Sequence, residues 1–169
     1  MNTAHLFDGL ELTGRASDAL TASVSTDEAR RRPAPGKWSM LEVLCHLIDE
    51  ERDDFRRRVQ STLEDPARDW PPIDPEGWAR DRDYNQRDLA AMRAEFARER
   101  AISLAWLRAL EAPRWENTKV HPRAGALSAG DLLASWIAHD VLHLRQMTNV
   151  RLAHLGETVA PYSTRYAQP

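Results

Sequence analysis

The feature that most constrains this fold is an apolar stripe with helical spacing between Ser128 and Leu152. Residues that recur every three or four positions share one face of a helix, and such a face has to be buried against other helices. Ser128 suits the N-cap position, and Asp131 is favoured by the helix dipole at the third helical position. The pattern therefore predicts a packed helix over 128–152. The stripe consists of Leu133, Trp136, Ile137, Val141, Leu144, Met147 and Val150.

This helix carries two histidines, His139 and His143, at the rim of the apolar face. Four residues apart on a helix, their imidazoles differ by roughly 40° around the axis and can reach one metal ion. The same spacing is also common for ordinary histidines at the edge of a core, so both interpretations stay open. The chain lacks the His-Glu-x-x-His motif of zinc proteases, because Asp140 follows His139 and points about 100° away from it. A metal site would need a further ligand from elsewhere.

Three other segments, 4–24, 39–63 and 86–110, show the same helical periodicity. The Ser39-Met-Leu-Glu42 sequence is a capping box that marks the start of the second helix. We expect an all-α four-helix bundle in a single domain spanning residues 1–169, with no strand pattern. The connection 64–84 between the second and third helices is long and rich in proline and tryptophan. It favours a crossover there and a segment that closes over the site.

Composition excludes several classes of function. The 169 residues carry a net charge of -3, so the chain has no general attraction to nucleic acid or to anionic membranes. Mean hydropathy is -0.60 and no apolar run is long enough to span a bilayer. The N-terminus lacks the pattern of a signal peptide, and the only cysteine, Cys45, excludes an internal disulfide. We expect a cytoplasmic protein with no nucleic-acid or membrane partner.

The second helix carries a third histidine, His46, on the side opposite its apolar stripe. Glu42, Asp49, Glu50 and Asp53 lie on the same side. One interpretation is a solvated acidic face that includes a histidine. The other is a ligand histidine whose neighbouring carboxylates hydrogen-bond its second nitrogen or a metal-bound water. The helical wheel does not decide between them.

Three smaller features also bear on the fold and the site. Arg100 falls within the apolar arc of the third helix, so its side chain either extends to solvent or reaches a carboxylate inside the bundle. His121 lies in the connection 111–127 and is interpreted as a loop histidine. Beyond the fourth helix, Tyr162 and Tyr166 are expected to anchor a tail that folds back on the bundle.

Two motifs together resemble the signatures of the DinB-like superfamily of helical bundles. Gly36-Lys-Trp-Ser-Met-Leu-Glu-Val-Leu-Cys-His-Leu-Ile-Asp-Glu-Glu51 is similar to the first signature, and Ala138-His-Asp-Val-Leu-His-Leu-Arg-Gln146 is similar to the second. Between them, Tyr84-Asn85 and the segment from His121-Pro122 to Ser128 resemble the middle section of the family. The resemblance covers nearly the whole chain.

The resemblance implies a divalent metal bound by His46, His139 and His143. Zinc and nickel both suit imidazole ligands, and the sequence does not choose between them. Asp49 or Glu50 is expected to orient His46 or to accept a proton. Cys45 points towards the apolar side, so an activated thiol would have to be an external low-molecular-weight one.

Family members include bacillithiol- or mycothiol-dependent S-transferases, thiol-dependent maleylpyruvate isomerases, partners in thiol-histidine biosynthesis and metal-dependent hydrolases. The chain is compact, which favours the S-transferase-like branch. Our first hypothesis is therefore a transferase that joins a thiol to a small-molecule electrophile in detoxification or stress response. The alternatives are a metal-dependent hydrolase and a non-enzymatic, stress-induced bundle with a structural metal.

We predict that the protein is a homodimer, because family members are often dimers and the first and third helices leave apolar shoulders to cover. Sedimentation at micromolar concentration should show a species of twice the chain mass. A single species of 19.2 kDa would contradict this prediction.

Overall fold

Helices make up most of residues 3–122 and 124–167, the part of the chain that the computed structural model describes. The α-helices are α1 (Thr3–Ala22), α2 (Thr26–Arg30), α3 (Met40–Asp49), α4 (Arg56–Glu64), α5 (Pro75–Asp81), α6 (Leu89–Arg108) and α7 (Ala129–Thr158). The π-helical turn Glu50–Phe55 joins α3 to α4, so these elements form one long helix, α3–α4. Together α1, α3–α4, α6 and α7 form a four-helix bundle, which confirms the predicted fold class.

Ion pairs between helices define the topology of the bundle. Arg52 pairs with Glu95 and Arg56 with Glu99, so α3–α4 and α6 are neighbours that run in the same direction. Two consecutive parallel helices need a connection that returns along the bundle. Residues 65–88 make this return and include α5, so the long crossover lies where the sequence predicted it.

The predicted caps account for where the two longest helical units begin. Ser39 accepts a hydrogen bond from the Glu42 backbone N–H, while the Glu42 carboxylate accepts one from the Ser39 N–H. Ser128 and Asp131 form the same reciprocal arrangement at the start of α7. These caps satisfy backbone donors that have no partner within the helix. They also fix the starting points of the two helices that carry the histidines.

The bundle core contains two apolar clusters with a buried charged group between them. One cluster surrounds α3 and includes Phe96 and Met147, and the other surrounds α4 and includes Leu133 and Trp136. Arg100 is only 4% exposed and contacts members of both clusters, with its guanidinium 5.1 Å from the Phe96 ring. Of the two interpretations of Arg100, the structure supports the one in which it reaches a carboxylate.

Arg100 reaches two carboxylates. Its Nη2 lies 2.7 Å from Glu51 Oε2 and 2.7 Å from Asp140 Oδ2, while Nη1 donates to the Leu10 carbonyl at 2.6 Å. Thr13 donates to Asp140 at 2.6 Å. One guanidinium therefore joins α1, the π-helical turn, α6 and α7. Burial raises the pKa of Glu51, and the nearby Asp140 carboxylate raises it further, because two acids share one base.

Three expectations about the C-terminal part of the chain are wrong. The connection 111–127 contains a hairpin of β1 (Thr118–His121) and β2 (Gly125–Ser128), which are too short for sequence periodicity to reveal. Helix α7 continues to Thr158 instead of ending near Leu152, and Tyr162 and Tyr166 are exposed rather than anchored.

Among the described residues, no helix is long and apolar enough to cross a membrane. No partner chain is present, so the homodimer stays a prediction.

We predict that replacing Arg100 by Met lowers the free energy of unfolding by about 3–5 kcal/mol, because two buried carboxylates lose their shared cation. Asp140→Asn removes the excess negative charge and keeps the shape, so its cost should stay below about 1.5 kcal/mol. Guanidinium unfolding followed by circular dichroism measures both losses. Equal losses would contradict the charge argument.

Candidate metal centre

Three histidines from two helices converge in the bundle. His46 comes from α3, and His139 and His143 come from α7. The Nε2 atom of His139 lies 3.2 Å from that of His46 and 3.1 Å from that of His143. The three donor atoms all lie within 4.8 Å of one another, and no other cluster of this kind occurs among the described residues. The spacing of His139 and His143 and the antiparallel packing of α3 against α7 bring them together.

The convergence of nitrogen lone pairs fits a cation. Two nitrogens on one zinc ion are roughly 3.0–3.4 Å apart, given Zn–N bonds of about 2.0–2.1 Å and ordinary coordination angles. The two short Nε2 separations fall in this range. Each neutral imidazole carries one proton. Where that proton is on Nδ1, the facing Nε2 lone pairs repel one another unless a cation lies between them. The donor set therefore suits zinc, nickel or another divalent ion that prefers nitrogen ligands.

Aromatic rings hold two of the imidazoles in place. The Trp38 ring lies 5.0 Å from the His46 ring, and the Phe55 ring lies 5.1 Å from the His139 ring. Phe55 in turn stacks on Trp136 at 5.8 Å. These contacts restrict ring rotation and exclude water from one side of each imidazole. The ligand geometry is therefore largely formed by packing before an ion binds.

Burial keeps the imidazoles neutral. Burial, together with the smaller effect of the neighbouring histidines, lowers the pKa of His46 to about 2 and that of His139 to about 3. The pKa of His143 is also lowered by burial, against the opposing effect of its hydrogen bond to Gln146. A histidine binds a metal through an unprotonated nitrogen. At neutral pH all three rings are thus in the form that binds an ion.

Gln146 determines which nitrogen of His143 is available. Its Oε1 atom lies 2.8 Å from Nδ1 of His143, one helical turn away. A carbonyl oxygen only accepts hydrogen bonds, so Nδ1 carries the proton and Nε2 presents its lone pair to the other two histidines. Gln146 ends the second of the two sequence motifs, and its three-residue separation from His143 is the signal for this contact.

Glu50 lies behind His46. Its Oε1 atom is 3.7 Å from Nδ1 of His46, and both atoms are buried without a hydrogen-bond partner among the described residues. The π-helical turn begins at Glu50 and places it beside Asp54. Burial raises the pKa of Glu50, and the negative charge of Asp54 raises it further. A small movement would let Nδ1–H of His46 donate a hydrogen bond to Glu50.

Asp49 belongs to a different network. Its carboxylate accepts a hydrogen bond from the Tyr84 hydroxyl and pairs with Arg52 and Arg82, each at 2.7 Å. Tyr84 and Arg82 both belong to the crossover, so Asp49 holds the crossover against α3. Of the two carboxylates predicted from the sequence, Glu50 is the one that lies against His46.

The solvated-face interpretation of His46 is wrong. All residues of α3 are buried, including Glu42, Asp49 and His46, which is 5% exposed. The reason is that α5 and the turn at Tyr84 cover α3, while arginines neutralise its acids; Arg32, for example, pairs with Glu42 at 2.5 Å. A helical wheel shows polarity but not the ion pairs that allow polar residues to be buried.

Two other candidate residues lie outside the histidine cluster. Cys45 is buried with its Sγ 3.7 Å from the Tyr84 carbonyl oxygen, and burial raises the pKa of its thiol to about 12. His121 ends β1, where its Nδ1 accepts a hydrogen bond from the Ala124 backbone at 3.1 Å. Its ring lies 5.9 Å from the Trp70 ring, and it does not join the three converging histidines.

Comparison with known proteins identifies the same architecture. A family model described as the DinB superfamily matches residues 10–147. No curated protein sequence matches the chain. Among solved structures, YfiT from Bacillus subtilis, named as a probable metal-dependent hydrolase with an unusual four-helix bundle topology, has a TM-score of 0.77 at 18% identity, over 87% of this chain and 84% of that one.

Two further structures share the fold. The mycothiol-dependent maleylpyruvate isomerase has a TM-score of 0.70 at 11% identity, over 87% of this chain but only 61% of the isomerase. A conserved protein from Enterococcus faecalis has a TM-score of 0.69 at 17% identity, over 92% of this chain and 98% of that one. At these identities the likeness shows the fold and does not transfer an activity.

We predict that protein purified without added metal or an affinity tag contains one divalent ion per chain, measured by elemental analysis. His139→Ala and His143→Ala should lose the ion and keep their helical circular dichroism, because the apolar face of α7 is unchanged. Gln146→Leu should weaken metal binding about 10- to 100-fold. His121→Ala is the matched control and should keep the ion. Full metal content in His143→Ala would exclude this histidine from the ligand set.

Proposed function

The chain belongs to the DinB superfamily, and we propose that it is a metal-dependent enzyme that transfers a low-molecular-weight thiol to a small electrophile. The observation that carries the proposal is the convergence of three neutral histidine nitrogens, which would hold an ion without cancelling its charge. A divalent ion held there would supply a Lewis acid that lowers the pKa of a bound thiol or water.

Residues of this chain would position such an ion. His46, His139 and His143 provide the nitrogens, and Gln146 fixes the protonated nitrogen of His143. Glu50 is placed to hold the proton on Nδ1 of His46, which would keep Nε2 directed at the ion. Because burial raises the pKa of Glu50, its carboxylate is also a candidate to receive a proton released on substrate binding.

The nucleophile in this proposal comes from outside the chain. Cys45 is the only cysteine, and a thiol whose pKa is raised to about 12 stays protonated and unreactive at neutral pH. Its sulfur is directed at the Tyr84 carbonyl rather than at the histidines. The thiol substrate would be a small cytoplasmic thiol, which agrees with a reducing compartment. The mycothiol dependence of a protein with the same fold supports this choice.

Hydrolysis is the second candidate function. The same three imidazoles could hold an ion that activates water instead of a thiol. The structural likeness to YfiT, named as a probable metal-dependent hydrolase, favours this candidate. Both reactions need a bound ion with an exchangeable position, so they share the histidines and differ in the nucleophile. A purely structural metal needs no such position.

We predict that the zinc- or nickel-loaded protein accelerates conjugation of a thiol to monochlorobimane, measured by fluorescence with bacillithiol, mycothiol and glutathione in turn. His139→Ala should lose nearly all of this rate because the ion is lost. Cys45→Ala is the matched control: its rate should stay within about twofold, since its thiol is protonated.

Ester and amide substrates tested in parallel separate the two candidate reactions. Metal-dependent hydrolysis without thiol conjugation would favour the hydrolase. Equal rates for metal-loaded and metal-free protein in every assay would contradict both enzymes and support a structural metal.

A further inference from the structure

A cavity separate from the histidine cluster lies between the crossover and the β-hairpin. Its volume is about 790 Å³, within the range of sites that bind small molecules. Arg58 of α4 forms one wall, the segment from Asp69 to Ile73 forms another, and Lys119 and His121 of β1 form the third. The walls combine prolines and an indole ring with two cationic side chains.

The indole of Trp70 organises the two cations. The Arg58 guanidinium lies 4.8 Å from the centre of the Trp70 ring, and the Lys119 ammonium lies 6.0 Å from it. Both side chains are only 14% exposed. Cations that are mostly removed from water need an anion nearby, because their hydration has been lost.

The two cations differ in how well the protein neutralises them. Arg58 pairs with Asp54, which is itself buried. Lys119 has only Asp69, at 3.5 Å, and the Asp69 side chain is fully exposed and interacts weakly. The other contact of its ammonium is the Pro66 carbonyl oxygen at 3.4 Å. Among the described residues, Lys119 is therefore a mostly buried charge without a strong partner.

A row of side chains connects this cavity with the histidine cluster. His46, Glu50, Asp54 and Arg58 follow one another at four-residue intervals along α3–α4. Asp54 pairs with Arg58, and Glu50 lies 3.7 Å from His46. Twelve residues of helix span about 18 Å, so a molecule that reaches both places has to be elongated.

We propose that this cavity binds the carboxylate end of an elongated substrate whose other end reacts at the histidine cluster. Lys119 supplies the main charge, the terminal nitrogens of Arg58 supply hydrogen bonds, and Trp70 and the prolines cover the apolar chain in between. The proposal rests on the proposed function only for the reacting end. The anion-binding end stands on the cavity itself.

Calorimetry with octanoate and the uncharged octanamide tests the anion-binding end on metal-loaded protein. Wild type should bind octanoate about fivefold or more tightly than octanamide, as expected for one partly buried ion pair. Lys119→Gln should reduce this preference to less than about twofold, and Lys119→Arg should restore it because the charge returns. Arg58 is left unchanged, since its loss would leave the buried Asp54 unpaired.

A matched control separates local recognition from the overall charge of the protein. Arg15→Gln removes one exposed positive charge from α1, which does not line the cavity, and should keep the full preference for octanoate. An equal loss in Arg15→Gln, an unchanged preference in Lys119→Gln or no preference in wild type would each overturn the proposal.

Two further titrations identify which substrate carries the carboxylate. One compares ω-sulfanylhexadecanoate with its amide, as models of the thiol, and the other compares ω-bromohexadecanoate with its amide, as models of the electrophile, because these chains are long enough to reach from the cavity to the histidine cluster. A preference that depends on Lys119 in one pair assigns the carboxylate to that substrate. If metal adds nothing to the affinity for ω-sulfanylhexadecanoate while octanoate still depends on Lys119, the thiol function fails and the anion site stands.

Discussion

The bundle depends on one buried guanidinium. Arg100 binds Glu51 of the π-helical turn, Asp140 of α7 and the Leu10 carbonyl of α1, so all four long helices meet at one side chain. Apolar clusters on either side provide the area that drives folding, but apolar contacts tolerate sliding and rotation. A directional, charged contact restricts both movements. Because Asp140 directly follows His139, the same contact also fixes the axial position of the histidine helix.

The π-helical turn links this contact to the histidine cluster. Neighbouring residues of a regular helix point about 100° apart, and a π turn changes that relation locally. Glu50 lies beside His46 while Glu51 points into the core towards Arg100 and Trp136. Two adjacent acids thus serve two different environments, one at the site and one in the core. The turn lies where Phe55 packs against His139, so core packing and ligand orientation are coupled.

The sequence was sufficient for the parts of this protein that have local signals. Helical periodicity, the caps at Ser39 and Ser128, and the His139–His143 spacing gave the bundle and the helix with two of the histidines. Burial of His46 was not accessible, because it results from arginines such as Arg32 that approach from other segments. The hairpin was missed because four-residue strands show too few alternations to count. The Lys119 cavity depends on the crossover and hairpin meeting, which no local pattern encodes.

The separation of the histidines along the chain has a consequence for stability. His46 and His139 are 93 residues apart in sequence, so an ion that binds both acts as a removable cross-link that closes a very long loop. Closing such a loop restricts the unfolded chain, and an ion that binds only the folded form stabilises it in proportion to the logarithm of its free concentration. The thermal stability of the protein then becomes a measure of the free metal around it. In a cell short of that metal, the folded form of the protein would be less stable and would unfold more often.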